Sequence, residues 1–193
     1  MSTTSRLVPI QLTVCGIEEL AGHCEVGVSH VLSILDPGHP EPPAFGSFGE
    51  HRRLELRFHD IIEDTPGMLP PREEDVATVL AFGRDLMAEP PARRHLLVHC
   101  HAGISRSTAS MMLILAQARP DIPARDIVSH VVSIRPRAWP NLRILEFGDA
   151  MLGRKGDLVA AAHDRYRVVV QQRPEWKQYM LESGRGREVP KDL

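Results

Sequence analysis

One stretch limits what this chain can fold into more than any other: Leu96-Leu97-Val98-His99-Cys100-His101-Ala102-Gly103-Ile104-Ser105-Arg106-Ser107-Thr108. It opens as a short apolar run, too brief for a helix and suited to a strand buried on both faces. From Ser107 onward, Ser-Thr-Ala-Ser-Met-Met-Leu-Ile-Leu-Ala-Gln-Ala is rich in helix formers and apolar nearly all round, which predicts a buried helix. A tight loop joins the two, with Cys100 at its start, Gly103 within it and Arg106 at its end. An apolar strand feeding directly into a buried helix argues for an α/β architecture.

The loop has a chemical logic. Backbone N–H groups at a helix N-terminus point at one spot, where the helix dipole also favours negative charge, so a phosphate is the natural guest. Arg106 adds a planar fork able to grip two phosphate oxygens. Cys100 would lie on the floor of this cradle, where the same groups favour thiolate over thiol. Gly103 lets the backbone turn sharply without blocking the guest. Ser107 can donate its hydroxyl to the sulfur, steadying it first as nucleophile and later as leaving group. A buried structural cysteine beside a surface arginine is the plainer reading. A zinc site at His99, Cys100 and His101 is poorer, because consecutive residues of an extended strand point to opposite faces.

His99-Cys100, five residues, then Arg106-Ser107, with Gly103 between, resembles the signature of the protein tyrosine phosphatase superfamily. The chain looks like a small, dual-specificity-like, bacterial-type member. That resemblance implies a single α/β domain over roughly residues 7–152, a phosphocysteine intermediate on Cys100 and phosphate binding by Arg106. It also implies substrate contacts from the loop residues His101, Ala102, Gly103, Ile104 and Ser105.

The rest of the chain is compatible with this. At 193 residues it is long enough for one domain with a proper core and short for two. A net charge of −2 argues against a nucleic-acid or membrane-surface binder. Three cysteines without repeating spacing speak against a disulfide framework, and no apolar run approaches a membrane span. The first residues make a poor signal-peptide core, so the reducing cytoplasm is the expected location.

Strands are predicted over 7–15, 28–35, 54–58 and from Leu96. Helices are predicted over 73–87, from Ser107, and over about 124–134, 141–152 and 157–170, with a short helical turn at 17–21. Residues 36–50, with four prolines and three glycines, read as an irregular surface loop. Residues 1–173 are thus expected to form one domain with a largely parallel central sheet flanked by helices, followed by a loosely ordered tail, 174–193. Sites in such sheets lie at the strands' carboxyl ends, where Cys100 falls together with the loops after Cys15, Leu35 and Phe58.

Cleaving a phosphate ester with a thiolate needs a proton for the departing oxygen. Asp60, Glu63 and Asp64 are near the site, with Asp36 further back. The family resemblance puts Phe, any residue, Asp here; Phe58-His59-Asp60 fits it, with Asp64 in reserve. Both acids are otherwise ordinary turn formers. Asn141, by the same resemblance, would orient the water that hydrolyses the phosphocysteine, and an N-cap explains it equally well. Arg135 and Arg137 read either as a lure for acidic substrate or as a solvated edge.

His99 is expected to support the loop by hydrogen bonding, and His101 to reach the pocket rim. The scattered His23, His30, His51, His59, His95, His130 and His163 read as structural or surface residues. Cys15, at the site end of its strand, is either inert packing or a partner for oxidised Cys100. No metal or other cofactor is expected, since Arg106 and the loop amides neutralise phosphate. Ala102 and Ile104 carry no charge, whereas related inositide phosphatases usually have lysines there, so a phosphorylated protein, with phosphotyrosine foremost, is the expected substrate. A phosphotyrosine-binding pseudophosphatase and a phosphatase for a small-molecule or inositol phosphate are the alternatives. A sulfur- or arsenate-handling enzyme suits Ser107 and the helix pattern less well.

Overall fold

The computed structural model describes residues 7–90 and 94–192. The start of the predicted domain, residues 1–6, lies outside the described residues. Four strands, β1 (Gln11–Cys15), β2 (His30–Leu35), β3 (Arg52–Arg57) and β4 (His95–His99), pair in parallel in the order β1-β4-β2-β3. The two inner strands are buried along their whole length, whereas β3 at one edge is not. Burial on both faces explains why β4 reads as an apolar run rather than an alternation. The sheet is the one expected, with small shifts at its ends. Pro9 cannot donate to a ladder, and β1 starts two residues after it, although Val8 and Ile10 are still buried.

Six α-helices follow or interleave among the described residues: α1 (Glu73–Ala88), α2 (Arg106–Ala118), α3 (Ala124–Ile134), α4 (Leu142–Met151), α5 (Asp157–Gln172) and α6 (Glu175–Glu182). All contribute to one core with Val14, Leu32, Ile34, Leu96 and Val98 of the sheet. At its centre is α2, whose Met111, Met112, Leu113, Ile114 and Leu115 are wholly buried. Each such side chain stabilises by about 1.5–3 kcal/mol relative to leaving it in water. On the other face of the sheet, Cys15, Val31 and Leu97 pack against no α-helix among the described residues. That face is covered by two 3₁₀ turns, Ile17–His23 and Pro43–Ser47, through Leu20 and Phe45. The proline-rich stretch 36–50 is therefore not wholly irregular, because it supplies Phe45 to this second core.

The tail is the main departure from the sequence reading. From Pro174 the chain forms α6 and then a 3₁₀ turn, Gly186–Glu188, and both pack on the domain. Met180 and Val189 enter the core. Arg185 and Glu188 are 6% and 0% exposed. Glu188 accepts hydrogen bonds from Trp139 Nε1 (2.6 Å) and the Leu142 amide (2.9 Å), and Arg185 Nε donates to it at 2.7 Å. Arg187 bonds Glu63 and Glu146 on the outer side. The glycines and charges that suggest looseness are instead two turns, a buried Arg185–Glu188 pair and outer ion pairs of Arg187.

Glu188→Ala would leave the Arg185 charge partly uncompensated and strip acceptors from Trp139 and Leu142. The loss should be about 3 kcal/mol, the range for breaking a buried pair, read as a lower urea midpoint.

Candidate active site

Cys100 follows β4 directly, and the loop 101–105 leads into α2. Five consecutive carbonyls of this loop are tied outward. The Ile17 amide donates to His101 O (3.0 Å), Arg135 Nη2 to Ala102 O (2.9 Å), and Arg135 Nε to Gly103 O (2.9 Å). The Trp139 amide donates to Ile104 O (2.9 Å) and the Asn141 amide to Ser105 O (3.3 Å). With the carbonyls held on the outside, the amides of a tight loop must face the other way. No hydrogen bond among the described residues takes up the N–H groups of Ala102, Gly103, Ile104 or Ser105. This is the geometry of an anion cradle. Gly103 has φ +67°, and a Cβ there would overlap the Cys15 carbonyl group, so two separate constraints require glycine. Arg135 is thereby a staple of the loop, held in turn by Glu19 at 2.8 Å, rather than a lure for substrate.

Cys100 is 2% exposed, with its Sγ 3.2 Å from the Ser107 hydroxyl. Arg106 is 3% exposed, and its Nη1 is fixed from behind by Asp36 Oδ1 and Phe58 O, both at 2.6 Å. Its buried Nε has no partner. A buried guanidinium with an unclaimed donor beside a cradle of free amides fits an oxyanion. Asp36 is thus the carboxylate that aims Arg106.

Asp60 lines the same cavity as Cys100 and Arg106. Its Oδ1 accepts from Ser105 Oγ (2.7 Å) and Asn141 Nδ2 (2.9 Å), and lies 3.1 Å from Arg185 Nη1. Burial alone would push this carboxyl up. The Arg185 and Arg106 charges and the two hydrogen bonds outweigh it and hold Asp60 below its ordinary range. The reserve acid, Asp64, is elsewhere: its side chain is 83% exposed and pairs with Arg143 at 2.8 Å. Glu63 pairs with Arg187.

The side chain of Asn141 is taken up by the protein itself. It is fully buried, its Oδ1 caps α4 through the Ile144 amide (3.1 Å), and its Nδ2 is spent on Asp60 and Ile61 O. The N-cap reading is the one realised, with positioning of Asp60 added. The expected hydrogen bonding of His99 is also missing. Neither ring nitrogen has a partner, and the ring lies against Phe45 with centroids 5.5 Å apart. Burial pushes His99 down to about 4, against a smaller opposing pull from the Cys100 backbone, so it is a neutral packing group. His101 does reach the rim. It accepts from the Asp36 amide (3.1 Å) and packs edge-on against His39, a residue the sequence reading passed over. Burial and then Arg106 push it down. Cys15 is buried beneath the loop, and burial, then Glu19, pushes its thiol up to about 12, which favours the inert reading.

The cavity above Cys100 measures about 140 Å³. Its far wall is the segment the sequence left out: Trp176, Tyr179 and Met180 of α6, with Arg185 and Trp139. Trp139 stacks on Tyr166 (4.5 Å between centroids) and leans on Trp176 (5.4 Å). Among the described residues no group of three His, Cys, Asp or Glu is arranged to hold a metal, and no helix is long and apolar enough to cross a membrane.

If Arg135 keeps the cradle open by holding two carbonyls, Arg135→Ala should weaken inhibition by inorganic vanadate about tenfold, the worth of one or two charge-assisted hydrogen bonds. An unchanged inhibition constant would remove that role.

No protein-family model matches the sequence, and no curated protein matches it by sequence. Solved structures do match. The human tyrosine phosphatase-like serine/threonine/tyrosine-interacting protein aligns with a TM-score of 0.58 at 18% identity, over 78% of this chain and 95% of that one. The PTP-2 phosphatase of Cydia pomonella aligns at 0.57 and 17%, over 76% and 88%. Human DUSP28 aligns at 0.55 and 17%, over 77% and 98%. At these identities the likeness is one of architecture, and the chain has the fold of the tyrosine and dual-specificity phosphatases.

Proposed function

We propose that the protein is a phosphatase that hydrolyses phosphate monoesters, foremost phosphotyrosine in proteins, through a phosphocysteine on Cys100. The observation that carries this reading is the cradle itself: five carbonyls tied outward, free amides within, the unclaimed Nε of Arg106 beside them, and a cysteine on the floor. Cys100 Sγ attacks phosphorus, and the bond from phosphorus to the leaving oxygen breaks. Asp60 gives that oxygen its proton. Arg106 and the loop amides meet the charge on the three equatorial oxygens, where fixed donors lower the barrier most. Water then attacks the phosphocysteine, Asp60 takes a proton back, and the Ser107 hydroxyl stabilises the departing sulfur.

Substrate choice follows from the walls. Trp176 and Tyr179 offer flat aromatic surface beside the cradle, with Ile104 next to them, which suits an aryl ester. The uncharged Ala102 and Ile104 offer nothing to extra phosphates of an inositide. A second reading, a phosphotyrosine-binding module with little turnover, is favoured by one observation: the donors around Asp60 all stabilise its charged form, which cannot give a proton.

A burst assay separates the two. The protein should release phosphate from a phosphotyrosyl peptide without added metal, and Cys100→Ser should abolish turnover while keeping phosphate affinity. Wild-type binding with no burst would favour the binding module.

Asp60→Asn should lower kcat by roughly a hundredfold to ten-thousandfold on a tyrosyl phosphate, the usual range for a lost general acid. The loss should shrink for aryl phosphates whose phenol is already acidic. Equal losses across leaving groups would move the acid elsewhere.

A further inference from the structure

The C-terminal segment raises a question that the cysteine loop does not answer: why a buried arginine from the tail should contact the acid. Asp60 meets three donors, and all converge on one oxygen. Ser105 Oγ, Asn141 Nδ2 and Arg185 Nη1 lie 2.7, 2.9 and 3.1 Å from Oδ1. Arg185 acts twice, because its Nη2 also donates to Ser105 Oγ at 2.9 Å, which orients that hydroxyl toward Oδ1. Among the described residues Oδ2 has no hydrogen-bond partner, and Asp60 lines the cavity that it shares with Cys100.

We propose that the C-terminal segment is a working part of the active site and that Arg185 is the positioning residue of Asp60, turning Oδ1 inward as permanent acceptor and leaving Oδ2 to carry the proton. This rests on the phosphatase reading above. A neutral carboxyl still accepts on the oxygen that lacks the proton, so three donors on Oδ1 direct the proton to Oδ2. The contact has an electrostatic side as well. A guanidinium against a carboxylate favours the charged form, so an acid positioned this way must be kept from being held too strongly. Glu188 supplies the counterweight. It takes Arg185 Nε and Nη2, each at 2.7 Å, while Trp139 Nε1 and the Leu142 amide hold it in place.

The other groups facing Asp60 are Arg106 and Cys100 across the cavity, His101 at its rim, and Tyr166 from α5. None of them belongs to the tail, so exchanges at Arg185 and Glu188 isolate its contribution. Glu188→Gln keeps the size and an acceptor while removing the negative charge behind Arg185, so the pull of Arg185 on Asp60 strengthens. Arg185→Met with Glu188→Gln removes both buried charges together, so no lone buried ion threatens folding, and Asp60 loses its nearest cation.

The test is the titration of the Asp60 carboxyl, followed by carbon-13 NMR in the full chain, beside the pH profile of kcat on an aryl phosphate. Glu188→Gln should move the Asp60 midpoint to lower pH. The double variant should move it to higher pH by about one unit, the scale of a lost neighbouring charge. The falling limb of kcat should follow in the same two directions. Arg185→Lys, which keeps the charge and loses the fork, should leave the limb in place and lower kcat. Midpoints that stay put in both variants would overturn the proposal, leaving the tail a packing element. A midpoint that moves while the limb does not would uphold the Arg185–Asp60 contact and overturn Asp60 as the acid.

Discussion

Everything at the site depends on where the carbonyls of the loop 101–105 go. A peptide plane has two ends, so fixing the oxygen on one side fixes the N–H on the other. Here the oxygens are taken by groups from three separate places: the Ile17 amide after β1, the Arg135 side chain after α3, and the amides of Trp139 and Asn141 ahead of α4. Amides left without a protein partner are ordinarily costly where they are buried, as Gly103 and Ser105 are here. The fold tolerates them because its outer contacts leave the backbone no alternative, and an arriving oxyanion would, on the proposed reading, satisfy them together. Gly103 makes the arrangement possible, since its positive φ lets the loop lie directly against Cys15.

A second layer is charge balance. Arg106 is aimed by Asp36 and Phe58 O, so the fork is anchored before any ligand arrives and loses little freedom on binding. On the opposite wall, Arg185 lies between Asp60 and Glu188. Two buried arginines with three carboxylates around them would be a poor way to gain stability alone, because desolvation consumes much of the attraction. Their value is orientation, with a cation and an acid each held at a fixed angle to one cysteine.

The sequence shows the centre of this arrangement and not its rim. Cys100, Arg106, Ser107 and Gly103 are legible because strand, turn and helix adjoin in the chain, and local patterning reports local geometry. Asp60 is legible through Phe58-His59-Asp60. The N-cap role of Asn141 is legible too, but its hold on Asp60 and the outward staple of Arg135 are not, since both depend on which loop packs opposite. His99 carries no sign of losing its partners, as a buried ring against Phe45 requires knowing that 36–50 folds back over the sheet. The tail misleads most. Gly184 and Gly186 among charged residues have the composition of a loose end, yet the glycines shape turns and the charges find partners 80 and 46 residues away, at Ser105 and Leu142. Periodicity cannot register pairing over such distances.

The division of labour within one carboxyl links these layers. On the proposed phosphatase reading, Asp60 meets conflicting demands: it has to be held rigidly, which calls for donors, and it has to give up a proton, which donors on the wrong oxygen would prevent. Placing Ser105, Asn141 and Arg185 on Oδ1 meets the first demand and leaves Oδ2 for the second. The same wall that carries Arg185 also carries Trp176 and Tyr179, so under the proposal the segment that orients Asp60 is also the one beside the leaving group. On that reading, an ester that fits against α6 would be presented to the oxygen left free to protonate it, which would tie recognition of an aromatic substrate to the step that releases it.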